Sequence, residues 1–504
     1  MFNLFGLVNW YLRGRMKYIR QFAEFPHETQ ETVLKKLMLT AKDTEFGKQY
    51  DFASIKNAKE FSERIPLSDY DSFKPQIERM MHGEQNIVWP SRIRWFAKSS
   101  GTASGRSKFI PVSVEAINDC HYLGGIDFLT AYCNNHSDSS LFTGKGLIVG
   151  GSHQISHLDK QTRYGDLSAV LLQNMSFMSS IYRTPDLSIA LMDDWEKKLT
   201  AMALATMNEN VTNVSGVPTW TIFLAKKIME LRGKETLKEV WPNLELYIHG
   251  GVSFTPYREQ FTELMGSDTM RYYEIYNASE GFFSFQDVKD SDDMLLHLNN
   301  GVYYEFIPFE ELHQEEKHPV PLEKVEVGKN YGLVISTNSG LWRYVIGDTI
   351  QFTEMKPYRI RVSGRISHFI NAFGEEVIAD NTDRAMAEAC HDTSAIVRDY
   401  TVAPMFITRH ERGRHQWLVE FETLPDDLSE FAQILDNKLR AHNSDYDAKR
   451  QKDIALSRLE LHALPKGTFY EWLKKNNKLG GQHKIPRLNN DRKLAEEILL
   501  LVAE

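Results

Sequence analysis

From residue 91 onward the chain repeats one pattern: short apolar runs bounded by Gly, Ser or Asn, with helical stretches between several of them. The runs include Ile93–Ala97, Phe109–Val112, Leu147–Val149, Leu244–Ile248, Tyr272–Tyr276 and Leu333–Ser336. Asp194–Met207 and Trp220–Arg232 are two of the helical stretches. Strands that alternate with helices build an α/β body. Asn338-Ser339-Gly340 between two apolar runs reads as a hairpin turn.

Residues 1–90 read mostly as helices, with a helix start at Asp69–Pro75 that continues through Ile77–Met81. After Asp348 the composition shifts. Met355-Lys356-Pro357 reads as a break and Val362–Arg365 as a second start. Beyond it the order is strand, helix, strand, strand, helix, strand, helix. Ile396–Val402, Gln416–Glu422 and Arg458–His462 are candidate strands, and Ser429–Asn443 and Tyr470–Lys475 candidate helices. That order gives an α+β domain of its own. The expected division is 1–355 and 356–504.

Hydrophobic residues make up 42% and charged residues 25% of the 504, a globular balance that excludes disorder, collagen and coiled coil for the whole chain. With 59 basic against 68 acidic residues the net charge is −9. A nucleic-acid-binding or anionic-membrane surface is therefore not favoured. The three cysteines, Cys120, Cys133 and Cys390, form no C-x-x-C pair, which suits a reducing, cytoplasmic compartment. The apolar N-terminal run precedes Arg13, Arg15 and Lys17, the reverse of a secretory signal, and reads as an amphipathic helix packed on the body, with interfacial membrane contact as the alternative. No run reaches the ~18 apolar residues of a membrane span.

Four segments could carry chemistry. Ser99-Ser100-Gly101-Thr102-Ala103-Ser104-Gly105-Arg106-Ser107-Lys108 lies between two strands. Its glycines let backbone N–H groups converge on an anion, while the hydroxyls and basic residues add donors and charge: a phosphate cradle. The same composition suits a Ser/Gly hairpin tip. A Walker A loop, G-x-x-x-x-G-K-[ST], does not occur. In Tyr276-Asn277-Ala278-Ser279-Glu280-Gly281, the carboxylate at a strand end could reach a Mg²⁺ ion on phosphates or be a solvated loop Glu. In Trp342-Arg343-Tyr344-Val345-Ile346-Gly347-Asp348, the Asp could take both ribose hydroxyls or close a turn. Gly480-Gly481-Gln482-His483-Lys484-Ile485-Pro486-Arg487 is a loop with one Lys and one Arg, or a plain exposed turn. His153 and His157 lack a third ligand, and Tyr446 and Arg450 read as structural. G-x-S-x-G and H-E-x-x-H are absent.

Taken in order, these segments resemble the adenylate-forming superfamily of acyl-CoA synthetases, luciferases and peptide-synthetase adenylation domains. Within it they are most similar to the Gretchen Hagen 3 family of acyl acid–amido synthetases. The resemblance runs from about residue 60 to 490. It includes Arg64–Tyr70 and Met81–Glu84 ahead of the phosphate segment, and Lys108-Phe109-Ile110-Pro111 after it. Asn277 stands where the family usually has Gly, and Val345 where it has Arg, with Arg343 two residues earlier. Gln482–Arg487 resembles the family's Gln-Tyr-Lys-x-Pro-Arg.

The resemblance implies an adenylating N-terminal body with a large mixed sheet and a smaller α+β C-terminal lid that swings about 349–365. It implies that a carboxylic acid is activated with ATP and Mg²⁺, then passed to an amine, typically an amino acid. A thiol acceptor, or a non-catalytic nucleotide-binding protein on the same fold, is the alternative. Ser99, Ser100, Gly101 and Thr102, with Lys108, would hold the β/γ-phosphates. Glu280 would sit on the metal, and Tyr276, Asn277 and Ser279 near the adenine and α-phosphate. Gly250 and Gly251 would lie against the adenine and Asp348 on the ribose. Arg365 would be a hinge-side contact and Lys484 the lid lysine.

Overall fold

The computed structural model describes residues 4–503 except 100–107, 151–155, 158–161, 177–179, 193, 252–253, 255–256, 313, 367–368, 371–374, 376, 407–412, 451–455, 477 and 480–483. Two compact units are present. The first comprises Met1–Val217, Lys227–Gly251 and Thr269–Val362, and the second Pro218–Lys226, Val252–Asp268 and Ser363–Glu504.

The N-terminal segment of the first unit is helical as expected, with helices at Leu4–Glu24, Pro26–Ala41 and Tyr70–Met81 among others. Asp69 caps the last of these by accepting from Ser72 N while Ser72 Oγ accepts from Asp69 N, which satisfies two otherwise open donors. The strands follow. β1 (Trp95–Ser99) pairs antiparallel with β2 (Lys108–Val112), and β3 (Lys145–Val149), β4 (Ser156–His157), β5 (Arg163–Gly165) and β6 (Arg183–Thr184) come next. β7 (Val211–Gly216), β8 (Leu246–His249) and β9 (Arg271–Ala278) then alternate with helices, including Trp195–Thr206 and Pro218–Arg232. β10 (Gly281–Phe285), β11 (Met294–Leu296), β12 (Val302–Pro308), β13 (Asn330–Thr337), β14 (Tyr344–Met355) and β15 (Tyr358–Arg365) complete the large sheet. Its order is β12-β13-β14-β15-β11-β10-β9-β8-β7-β3-β6. Strands β3, β6, β7, β8 and β9 run parallel, joined by helical crossovers. β9 to β11 and β12 to β14 run antiparallel, with a tight turn between β9 and β10 and a long connection carrying two short helical turns, Phe309–Glu311 and Leu322–Lys324, between β12 and β13. The fold is thus mixed α/β.

The expected hairpin at Asn338–Gly340 links β13 to β14, with Gly340 at φ +81° and no room for a Cβ against Val88 O, 2.7 Å away. Met355-Lys356-Pro357, read as a break, is instead the tight turn from β14 to β15, whereas Val362–Arg365, read as a second start, is the end of β15 where the C-terminal part of the second unit begins at Ser363. A Pro beside polar residues marks a hairpin as readily as a linker, and the apolar alternation on both sides decides it.

The second unit contains β16 (Phe369–Ile370), β17 (Val377–Ile378) and a three-stranded sheet of β18 (Ile396–Met405), β19 (Arg414–Thr423) and β20 (Glu460–Leu464), in that order. Helices Ala379–Thr393 and Leu428–His442 pack together and bury Met386, Phe431 and Leu435 in its core. Tyr446 and Arg450 both bond the buried Asp436, a structural role as read from the sequence.

Candidate active site

The carboxyl ends of parallel strands are where ligands enter open α/β sheets. β8 and β9 lie side by side there, with His249 opposite Glu274. The chain leaves β8 through Gly250 and Gly251. A Cβ on Gly250 would stand 2.3 Å from Ile275 O, so β9 passes too close for any other residue. Gly251 has φ +80°, a second glycine-favouring position. β9 continues through Tyr276 and Asn277 to Ala278, which pairs with Gly281 of β10. Ser279 and Glu280 form the tight turn between them, with Ser279 buried and Glu280 half-buried.

Tyr276 Oη donates to Asp348 Oδ2 at 2.6 Å. β9 and β14 are four strands apart in the sheet order, about 19 Å in a flat sheet at ~4.8 Å per strand. The bond therefore requires a strongly curled sheet, and that curl brings the second and third sequence segments together.

The start of β14 is fixed on both sides of Tyr344. Trp342 is fully buried against Phe52, Phe46 and Phe61, and its Nε1 donates to Val88 O at 3.2 Å. Arg343 grips Glu305 with Nε and Nη2 at 2.8 and 2.9 Å, and its Nη1 donates to Ser62 O and Ile65 O at 2.6 Å each. Burial raises the Glu305 carboxyl, and the Arg343 charge works against that rise. With those donors committed in the core, Arg343 does not stand in for the basic residue that Val345 replaces.

Ser99 pairs with Lys108 across β1 and β2, so the two described ends of the phosphate segment meet. Ser100, Gly101 and Thr102 lie outside the described residues. The Lys108 ammonium sits 5.6 Å from the Tyr70 ring centroid, and Phe109 N donates to Tyr70 Oη at 3.0 Å. The Asp69 carboxyl is lowered: burial opposes this, but the Ser72 hydrogen bonds and the Lys108 charge outweigh it. Burial, and then the negative charge of Glu280, hold the Tyr344 phenol well above the usual tyrosine range, so it stays protonated.

Asn277 has a partner that the sequence did not reveal. His121 Nδ1 donates to Asn277 Oδ1 at 2.9 Å from the π-helical turn Ala116–Tyr122. Burial pushes the His121 pKa down to about 4, against the pull of the Asn277 bond, so the ring is neutral. π-Turns are frequent at functional sites, but a lone His in Cys120-His121-Tyr122 carries no spacing signal. Tyr70 was legible as part of a helix start and of the segment that resembles the family's approach to the phosphate motif, with no role of its own.

Arg365 and Lys484 both belong to the second unit, Arg365 exposed at the end of β15 and Lys484 half-buried. His153 lies outside the described residues, and among the described residues no group of three or more His, Cys, Asp or Glu is arranged to hold a metal. No helix of the described residues is long and apolar enough to cross a membrane.

Three family models match the chain: the GH3 family N-terminal domain over residues 15–270, the central domain over 295–365 and the C-terminal domain over 380–493. The chain is 23% identical to the indole-3-acetic acid-amido synthetase GH3.3 of Arabidopsis thaliana, over 94% of this chain and 91% of that one. It is 24% identical to the jasmonoyl--L-amino acid synthetase GH3.5 of Oryza sativa subsp. japonica, over 92% of each. The solved structure of AtGH3.15 acyl acid amido synthetase in complex with 2,4-DB superposes with a TM-score of 0.80 at 17% identity, covering 97% of this chain and 96% of that one. A 2-hydroxyisobutyryl-CoA ligase in the postadenylation state superposes with a TM-score of 0.54 at 14% identity, over 98% and 92%.

Proposed function

The chain belongs to the GH3 family and is an ATP-dependent acyl acid–amido synthetase, and from that premise we propose how its own residues divide the work. The first unit holds ATP and the acid, and the C-terminal region from Ser363 onward acts as the lid, in place of the expected cut at 355/356, since Tyr358–Val362 stay in the large sheet. The adenine lies against Gly250, Gly251, Tyr276 and Asn277, the ribose on Asp348, and the α-phosphate near Ser279. Ser99, Ser100, Gly101, Thr102 and Lys108 take the β/γ-phosphates, and Arg365 is the hinge-side contact. The observation that carries this reading is the Tyr276–Asp348 hydrogen bond beside the strand end that only Gly250 fits. It joins two separately recognised segments at the carboxyl ends of the parallel strands.

A single carboxylate on a turn fits Mg²⁺, which takes most of its ligands from phosphates and water, and Glu280 is that carboxylate. When bound with ATP the ion neutralises phosphate charge. An acid carboxylate oxygen attacks the α-phosphorus; the O–P bond forms, the α–β anhydride breaks, and pyrophosphate leaves. Lys484 stabilises the charge that builds in this step. An amino acid nitrogen then attacks the acyl carbon and loses its proton. The C–N bond forms, the C–O bond to AMP breaks, and the amide departs.

Cys120 and Cys390 are buried, and burial pushes each thiol up to about 12. Such inert thiols suit the cytoplasmic placement. A carboxylic acid panel that includes indole-3-acetate and jasmonate, read by pyrophosphate release and followed by an amino acid panel on the best acid, tests the reading. Acid-dependent pyrophosphate release with amino-acid-dependent amide and AMP is expected. Release with no acid, or an acid consumed only with a thiol, would contradict it.

A further inference from the structure

We propose that Arg487 and Tyr257 are positioning residues for Lys484; the inference rests on the reading of Lys484 as the lysine of the adenylation step. Arg487 lies three residues after Lys484, its side chain only 10% exposed. Its Nη1 donates to the Asp399 carboxylate and, at 3.1 Å, to Tyr400 O, while Nη2 donates to Tyr257 Oη at 2.8 Å. Nε stands 3.4 Å from Asp383 Oδ1. The guanidinium also lies 4.3 Å from the Tyr400 ring centroid and 5.6 Å from that of Tyr257. Tyr400 Oη closes the cage by donating to Asp383 Oδ1 at 2.5 Å.

The main chain is held as firmly. Thr401 Oγ1 donates to Pro486 O at 2.6 Å, Val402 N to Arg487 O at 2.8 Å and Asn489 N to Val402 O at 3.0 Å. Residues 486–489 thus add to the edge of β18 that β19 does not use. Ile485 is buried. Lys484 is therefore the last residue before a fixed stretch, and its main chain is placed from that anchor.

A buried ion cluster is weak evidence for stability, since desolvating the charges offsets their attraction. What a caged Arg provides is one geometry: a planar fork bonded to an aspartate, a main-chain oxygen and a tyrosine, with a second aspartate beside it, admits a single placement of the chain. Tyr257 gives the cage its second end. It lies in segment 252–268, part of the second unit, six residues after Gly251. The loop of Lys484 is thereby tied to the chain that leaves the β8 strand end. Burial pushes the Tyr257 pKa up to about 12, so its oxygen is a neutral acceptor for Arg487.

The test is Tyr257→Phe, which removes one hydroxyl and keeps the ring, alongside Arg487→Lys, Lys484→Ala and the double variant Tyr257→Phe/Lys484→Ala. Misplacing a reacting group by about 1 Å costs up to ~10²-fold. Tyr257→Phe should therefore lower kcat of carboxylate-dependent ATP–pyrophosphate exchange about 10-fold or more, with KM for ATP and the unfolding midpoint near parental. Amide formation from presynthesised acyl-adenylate should keep its parental rate. Arg487→Lys, which retains the charge but not the fork, should also depress exchange. The double variant should be no slower than Lys484→Ala alone, because Tyr257 acts only through Lys484. Parental exchange in Tyr257→Phe, equal loss in both half-reactions, or additive losses in the double variant would overturn the positioning role while leaving Lys484 standing. Parental exchange in Lys484→Ala would overturn both.

Discussion

Asp348 has two tasks in this account: it accepts the Tyr276 hydroxyl and, in the proposed complex, the ribose. Asp348→Ala should weaken ATP by roughly 1.5–3 kcal/mol per charged hydrogen bond lost, with the fold retained. Calorimetric titration of ATP checks this, and parental affinity would refute the assignment. His121 gives a pH signature. Its folded pKa is near 4 against an ordinary 6.5, so below 6.5 the unfolded chain binds the proton and the folded one does not. Its contribution is complete above 6.5 and lost as pH falls through 4, about 3 kcal/mol in all. His121→Gln keeps a donor for Asn277 and should flatten the fall in urea midpoint between pH 7 and pH 4.5; an unchanged slope would mean that His121 is not held neutral. Asp348, Tyr276 and Glu280 could be singled out as candidates in the sequence because each sits in a short segment of fixed spacing. His121 could not, because its partner is 156 residues away and only folding joins them.

At the level of elements, β3, β8 and β9 of the parallel half were legible to within a few residues, since short apolar runs between Gly and Asn have few other readings, whereas β6, two residues long, and β7, with its Thr, Asn and Ser, give no such run. Trp220–Arg232 begins at Pro218, where a Pro suits the first helical turn. The β14–β15 turn was not legible: Lys356-Pro357 gives the same local signal for a hairpin and for a linker. Nor was the role of Arg343, which the sequence marks only as a basic residue two positions before Val345. The structure spends it on Glu305 and two main-chain oxygens, at the point where the end of helix Ala58–Arg64 meets β14. Arg343→Met should cost about 3–5 kcal/mol by leaving Glu305 buried and unpaired, whereas Arg343→Met/Glu305→Met should recover most of it. Chemical denaturation of the three proteins decides this. A double variant as unstable as the single would show that the main-chain bonds, rather than the ion pair, hold the junction.

Across the whole molecule, composition and element order gave the α/β body and the α+β C-terminal region, and the ordered segments gave the family. They could not give segments 218–226 and 252–268, which by sequence interrupt the first unit and by packing belong to the second. No local pattern reports that, since the helix Pro218–Arg232 looks the same whichever core it joins. The consequence is that the chain passes between the units more than once, and the site strands β8 and β9 are connected through the second unit. The central claim is chemical: the acid is activated at its own oxygen by the α-phosphorus of ATP. Carboxylate labelled with ¹⁸O, turned over with ATP and an amino acid, tests it most directly. The account predicts one ¹⁸O in the phosphate of AMP for each amide formed, with none in pyrophosphate or orthophosphate. Label in orthophosphate with ADP as the nucleotide product, or AMP free of label, would contradict it.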